Sequence, residues 1–152
     1  MSETEAPLEL GRFLPYRLSV TAESISRAFA ASYERRFGLT IPEWRVMAVL
    51  GQGEPRPTQA VIEATEMVRV KVSRAVTRLA DKGLVTRRTA PEDQRSQILA
   101  LSRKGLALYR QIVPLAHGLQ AELTAGLDAA ELALLDRVLD QLHKRARSLG
   151  AG

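Results

Sequence analysis

The sequence predicts a mainly α-helical protein with a small β-hairpin, and three features of the chain support that class. Long stretches repeat apolar residues at spacings of three and four, which is typical of amphipathic helices. One stretch, 84–101, instead contains two β-rich runs around a polar turn. Glycines and capping residues separate these stretches. We therefore expect six helices and two strands.

The first long helix is expected from about Gly11 to Phe37, because its apolar residues fall mostly four apart. Gly38 suits the position after a helix end. The segment Thr40–Glu43 combines a capping threonine, a proline and a glutamate, and so indicates a second helix that ends near Gly51. The residues before the first helix, 1–10, are acidic and are expected to be a disordered tail.

Thr58 is expected to cap a third helix over 58–65. The fourth, a basic helix over about Arg69–Lys82, is ended by Gly83. Its apolar residues form an inward stripe on one side: Val72, Ala75, Val76 and Leu79.

The runs Leu84–Thr89 and Gln97–Leu101 read as two strands around the polar turn between them. Ser102 is expected to cap a long helix that reaches about residue 125. Pro114 should bend that helix, since proline deletes a backbone donor. Asp128 and Glu131 resemble a capping box that opens a last helix, 129–148.

Three helices followed by a hairpin predict a winged helix-turn-helix over 38–102, a fold that binds DNA through its second motif helix. The flanking segments 11–37 and 103–149 are too apolar on one face to stand alone in water. We expect them to form a helical dimerisation region. At 152 residues, the chain has the length of one domain with helical extensions.

Positive charge is concentrated on the basic helix and the strand after it. Residues 69–88 hold seven Lys or Arg against one acid, a net +6, whereas the whole chain carries +5. The other residues together are therefore close to neutral. Such a concentration is expected where a protein meets a phosphate backbone, although a solvated charged face is the alternative.

Within a major groove, Lys71 and Arg74 are expected to contact base edges. Neighbouring side chains are expected to hold phosphates, which sets register without reading sequence. Free N–H groups at the start of the third helix suit a phosphate too. These further contacts are Thr58, Gln59, Arg69, Ser73, Thr77 and Arg78.

The hairpin carries Arg87, Arg88 and Arg95 near Asp93. We expect Arg95 to enter an adjacent minor groove, where A·T-rich narrowing deepens the negative potential. Asp93 would then orient that arginine. The alternative is an exposed hairpin with a surface ion pair of little energetic value.

Other function classes lack support in the sequence. Without cysteine there are no disulfides and no Cys-ligated zinc, and no membrane span, signal peptide or catalytic motif is visible. His117 and His143 lie on separate predicted helices without a metal-ligand spacing. We therefore expect no enzyme activity, no cofactor, no metal site and a cytoplasmic, nucleoid-associated protein.

The order of several short motifs resembles the multiple-antibiotic-resistance regulator (MarR) family. Each motif is weak alone, but together they cover most of the chain. Residue 90, often Asp in the family, is Ala in this chain. The matching motifs are Val72–Leu79, Lys82–Val85, Pro91–Ser96 and Leu101–Gly105.

This resemblance implies a homodimeric regulator, usually a repressor, that leaves an inverted-repeat operator when it binds a small molecule. Family members often sense aromatic acids, phenols or related thioesters. A tryptophan like Trp44 is more often core, and a histidine like His117 is more often a surface or interface residue. Arg17 could grip a carboxylate or pair with a neighbouring acid. The pocket positions implied are Tyr16, Arg17, Trp44, Val113 and His117.

Two other functions remain open at this point. An architectural DNA-binding protein would share the basic helix but discriminate little between sequences. A winged helix that binds an acidic protein partner would use the same face for a different purpose.

Overall fold

The computed structural model describes residues 6–152, in which six helices and a three-stranded antiparallel sheet are present. The expected acidic tail lies outside the described residues for its first five positions, and a short 3-10 turn covers Leu10–Arg12. The predicted class of a mainly helical fold with a small β-hairpin is confirmed. The elements are α1 (Leu14–Phe37), α2 (Ile41–Leu50), β1 (Arg56–Pro57), α3 (Thr58–Thr65), α4 (Arg69–Asp81), β2 (Val85–Thr89), β3 (Gln97–Leu101), α5 (Arg103–Leu123) and α6 (Ala129–Gly150).

Local capping signals set several helix ends. Gly38 follows α1 in the left-handed region with φ of 65°, where a residue without Cβ is favoured. Before α2, the Thr40 side chain accepts from the Glu43 N–H at 3.3 Å, and the Glu43 carboxylate accepts from the Thr40 N–H at 2.9 Å. Asp128 and Glu131 form the same reciprocal pair before α6. Both predicted capping boxes are confirmed.

The third helix begins differently from the prediction. Pro57 occupies the N-cap of α3, while the hydroxyl of Thr58 donates to the Gln97 carbonyl of β3 at 3.3 Å. Thr58 therefore ties the helix to the hairpin and does not cap it. A strand of two residues, one of them proline, shows no alternation, so the sequence did not reveal β1.

The sheet has the order β1-β3-β2, and Arg56 and Pro57 of β1 pair with Leu99 and Ile98. Proline is tolerated there because β1 is an edge strand. β1 attaches the loop after α2 to the middle of strand β3. The hairpin is thereby fixed to the segment that leads into α3.

A hydrophobic core fills the first of two compact units, which extends to Ile112. The predicted inward stripe of α4 is confirmed, since all four of its members are at most 4% exposed. Tyr33 of α1 is buried as well, and desolvation raises the pKa of its phenol. Other members of this core are Leu39, Val46, Met47, Leu50, Val61, Leu84, Leu99 and Ile112.

The second unit, Val113–Gly152, contains the later part of α5 and all of α6. α5 runs through Pro114 as one assigned helix, so the expected bend stays a prediction. No residue of α6 is buried. Its predicted apolar stripe is present but exposed, with Leu132, Leu135 and Leu139 between 37% and 46% accessible.

Candidate nucleic-acid interface

The outward face of α4 carries the expected polar and cationic side chains. Lys71, Ser73, Arg74, Thr77 and Arg78 are all exposed. A helix turns about 100° per residue, so the direction opposite the buried stripe passes close to Val70, Arg74 and Thr77. Lys71 and Arg78 instead flank that line on one side. Arg74 is therefore the cation nearest the centre of the exposed face.

On this flank, Lys71, Arg74 and Arg78 share a shallow cavity of about 290 Å³ with Thr40, Pro42 and Ala75. Thr40 and Pro42 belong to the start of α2, where the capping box already engages the N–H groups of Thr40 and Glu43. Three cations thus line one depression. Its chemistry suits a phosphate group.

A second groove, of about 400 Å³, lies between the start of α3 and the hairpin. It brings together five residues predicted from separate parts of the sequence: Thr58, Gln59, Arg69, Asp93 and Arg95. The Gln59 side chain accepts a hydrogen bond from the Arg69 guanidinium, which links α3 to the first residue of α4. The remaining lining residues are Thr89, Gln94, Ser96 and Gln97.

Asp93 orders the hairpin turn through the backbone. Its carboxylate accepts the backbone N–H of Arg95 at 3.0 Å, an arrangement typical of aspartate in turns. No ion pair joins Asp93 to Arg95 within residues 6–152. The expectation that Asp93 orients the arginine side chain is therefore corrected. Asp93 fixes the main chain at Arg95, and the Arg95 guanidinium is exposed. Ala90 closes the same turn by donating its N–H to the Ser96 carbonyl at 2.9 Å.

Arg87 and Arg88 lie on opposite faces of the hairpin, because successive side chains of a strand alternate. Arg87 is opposite the buried Leu99 in β3, on the face that also bears groove residues Thr89 and Gln97. Arg88 is opposite Ile98 on the other face. Both side chains are exposed. The two arginines therefore cannot reach one strip of DNA from the same face.

Lys82, at the C-terminal end of the basic helix, forms an ion pair with Glu43 of α2. Its ammonium donates to the Gly38 carbonyl at 2.8 Å and lies 3.3 Å from the Glu43 carboxylate. Glu43 is only 1% exposed. Lys82 therefore neutralises a buried acid of α2 and does not add to the cationic face of α4.

The residues implied for a ligand pocket have different surroundings. Tyr16 and Arg17 are exposed on the first turns of α1. Trp44 is half-buried in an aromatic stack, with its ring centroid 5.5 Å from that of Tyr33 and 6.1 Å from that of Tyr109. In the second unit, Val113 is half-buried and His117 is exposed, four residues apart on one face of α5. Tyr33 and Tyr109 were not anticipated as partners of Trp44.

Sequence reasoning also missed Val70, which is 57% exposed on the cationic face. A signal for it exists, since Val70, Arg74 and Thr77 follow the helical spacing of four and three. Thr40 and Pro42 were missed as neighbours of the cations because only packing brings α2 beside α4.

These elements form a winged helix-turn-helix, a fold class that binds DNA. Its helical part is α2, α3 and the cationic α4, and its wing is the β2–β3 hairpin with β1 at the edge. Residues 37–96 match a sequence model described as the MarR family. Across most of its length, the chain also resembles solved regulators. The helix-turn-helix part of the chain is therefore similar to the MarR family of transcription regulators.

One similar structure is a MarR family transcriptional regulator from Silicibacter pomeroyi, 28% identical, with 94% of this chain and 95% of that chain covered and a TM-score of 0.76. A MarR/EmrR family regulator from Acinetobacter sp. ADP1 shares 22% identity, with 93% and 99% covered and a TM-score of 0.84. BpsR of Bordetella bronchiseptica, whose DNA binding is regulated by 6-hydroxynicotinic acid, shares 21% identity, with 91% and 98% covered and a TM-score of 0.83.

The MarR family, whose model matches residues 37–96, consists of transcription regulators. Over residues 6–152, no group of three or more His, Asp or Glu side chains could hold a metal ion. The same part of the chain contains no helix with the length and apolar character needed to cross a bilayer.

Proposed function

We propose that this protein is a ligand-responsive repressor that binds an inverted-repeat operator as a homodimer and leaves it when a small molecule binds. The observation that carries the proposal is the cationic face of α4, flanked by two cavities that gather the other polar and cationic side chains. A regulator of this kind acts at the chromosome, which in a bacterium lies in the cytoplasm.

In this proposal Arg74 and Lys71 contact base edges, with Arg74 the better placed because it is nearer the centre of the exposed face. Arg78, Ser73 and Thr77 hold phosphates on either side. Thr58, Gln59 and Arg69 hold a further phosphate at the start of α3. Arg95 extends from the turn towards a minor groove, and Arg87 and Arg88 supply backbone contacts from opposite hairpin faces.

A homodimer is supported by α6, which has an apolar stripe and no buried residue in the single chain. We propose segments 11–37 and 103–149 as the dimerisation region and 38–102 as the DNA-binding lobe. Two-fold symmetry then presents two copies of α4 about one DNA turn apart, roughly 34 Å. That spacing predicts an inverted repeat.

For the effector we propose an aromatic acid, a phenol or a related thioester. Regulation of BpsR by 6-hydroxynicotinic acid supports an aromatic acid, and the exposed guanidinium of Arg17 beside Tyr16 suits a carboxylate. Trp44, Val113 and His117 remain proposed pocket residues. A ligand can release DNA only as far as it binds the released state more tightly than the bound one.

The DNA assignment is tested by competition binding between a selected operator and random duplex at moderate salt. Arg74→Ala should lower operator affinity by about 1–3 kcal/mol and relax preference at one base pair of each half-site. Arg78→Ala should weaken operator and random duplex alike. Arg137→Ala, an exposed arginine of α6, is the control and should change neither. Unchanged operator binding by the Arg74 and Arg78 variants would refute the proposal.

The regulatory part has its own test, which follows release of labelled operator during titration with 6-hydroxynicotinic acid and a panel of benzoic acids and phenols. Release by a specific ligand should saturate. Arg17→Ala should shift the midpoint for carboxylates but not for phenols. Release that grows without saturation, or that no compound produces, would favour an architectural DNA-binding protein.

A further inference from the structure

We propose that Val70 recognises a thymine in each operator half-site, through contact with the C5-methyl group of that base in the major groove. This inference rests on the proposed function and names one base that the α4 face reads. It concerns an apolar side chain on a surface otherwise described by its charges.

The position of Val70, more than its exposure, carries the argument. Single exposed valines are common on protein surfaces and need no explanation. Val70, however, lies diametrically opposite the buried stripe of α4, close to the centre of the exposed face. It is 57% exposed, Arg74 follows it one turn later on the same face, and Arg69 and Lys71 lie on the two flanks. A helix inserted into a groove would press this residue against the groove floor.

The cations near Val70 indicate which kind of molecule this face binds. A face with Arg74 beside Val70 and with Arg69 and Lys71 on its flanks favours a polyanion and disfavours a second copy of the same face, which would bring like charges together. On the major-groove floor the bases present hydrogen-bonding groups and one apolar group, the thymine C5-methyl. An apolar side chain at the centre of a cationic helix face is therefore complementary to the thymine methyl group.

Geometry limits where that thymine lies. Val70 and Arg74 are one helical turn apart, about 6 Å along the axis. Base pairs are stacked about 3.4 Å apart. The thymine should therefore lie within about two base pairs of the base contacted by Arg74. Val68 is also exposed, at 64%, but it is the N-cap residue outside the first turn of α4.

The test uses the full-length protein and an operator selected from a random duplex library. Each thymine of one half-site is replaced in turn by deoxyuridine, which keeps the Watson–Crick pairing and removes only the methyl group. Affinity is then measured for the wild type, for Val70→Ala and for the control Val68→Ala. Both variants change an exposed valine to alanine, and α4 should stay folded because alanine favours helix.

We expect one deoxyuridine position near the Arg74 contact to weaken wild-type binding about fourfold, the value for one buried methyl group. At that position Val70→Ala should show a loss of less than twofold, while Val68→Ala should keep the fourfold loss. A second readout is the preference selected by Val70→Ala, in which the thymine should no longer be favoured.

Other outcomes would overturn either the Val70 assignment or the proposed function. If no deoxyuridine weakens binding, or if the loss persists in Val70→Ala, the Val70 assignment is wrong although the operator is real. If Val68→Ala abolishes the effect instead, the methyl contact belongs to Val68. If the library gives no enriched sequence at all, the proposed function itself fails.

Discussion

At the scale of single residues, the ammonium of Lys82 connects three elements. Lys82 directly follows α4. Its ammonium pairs with the buried carboxylate of Glu43 in α2 and donates a hydrogen bond to the carbonyl of Gly38 at the end of α1. The Glu43 carboxylate also caps its own helix through the Thr40 N–H. One lysine therefore holds the C-terminal end of the proposed recognition helix against the junction of two others.

Lys82→Met should reduce the free energy of unfolding by about 1–3 kcal/mol, because it leaves a buried carboxylate without its cation. Urea denaturation measures this loss. Adding Glu43→Gln should recover part of it, since a neutral amide needs no counter-charge. Lys104→Met is the matched control and should cost less, as the Lys104 ammonium donates only to the Lys82 carbonyl at 2.9 Å. Equal stability of Lys82→Met and wild type would contradict this role.

At the scale of elements, the start of α5 lies close to the backbone of Gly83 and Leu84, just before β2. The Ser102 hydroxyl donates to the Gly83 carbonyl at 2.6 Å and accepts from the Gly105 N–H at 3.0 Å. A Cβ built on Gly105 would lie 2.0 Å from the Leu84 carbonyl oxygen. The start of α5 can therefore approach the hairpin only because residue 105 has no side chain.

Gly105→Ala should destabilise the protein by about 1–3 kcal/mol, as expected for overpacking against a backbone that cannot move freely. Gly118→Ala lies on the same helix with no other atom within 4 Å of its Cβ, and should stabilise by about 0.5–1 kcal/mol. Thermal unfolding of the two variants compares the same substitution in one helix. If both substitutions changed the unfolding temperature in the same direction, the close contact between Gly105 and Leu84 would be contradicted.

At the scale of the whole molecule, α6 is unusual because 22 residues form a helix with no buried side chain. Helical stability in proteins comes mostly from packing of an apolar face. Leu132, Leu135 and Leu139 make such a face, and in the single chain it stays accessible to water. The proposed homodimer would bury it.

Leu135→Glu combined with Leu139→Glu should convert the dimer to a monomer at micromolar concentration, because each buried leucine contributes about 1.5–3 kcal/mol. Sedimentation equilibrium measures the change in mass. Gln141→Glu adds one negative charge outside the apolar stripe and should leave the dimer intact. A double variant that remains dimeric would place the interface elsewhere.

The sequence predicted most elements to within one or two residues, because their signals are local. The capping boxes at Thr40 and Asp128 join residues three apart, and the α4 stripe repeats within four. Contacts between distant residues were missed. Lys82 and Glu43 are 39 positions apart, as are Thr58 and Gln97, so no local pattern connects them.

Patterns within about one helical turn determined the order of the elements, the apolar side of α4 and the concentration of cations there, since periodicity and capping act between near neighbours in the chain. Packing decided the rest. In the folded chain, Lys82 pairs with a buried acid, and β1 pairs with the hairpin as an edge strand. Arg87 and Arg88 lie on opposite faces of the hairpin, and Val70 lies at the centre of the charged face of α4. These outcomes depend on which surfaces meet in three dimensions, and that is a property of the folded chain and not of any short segment.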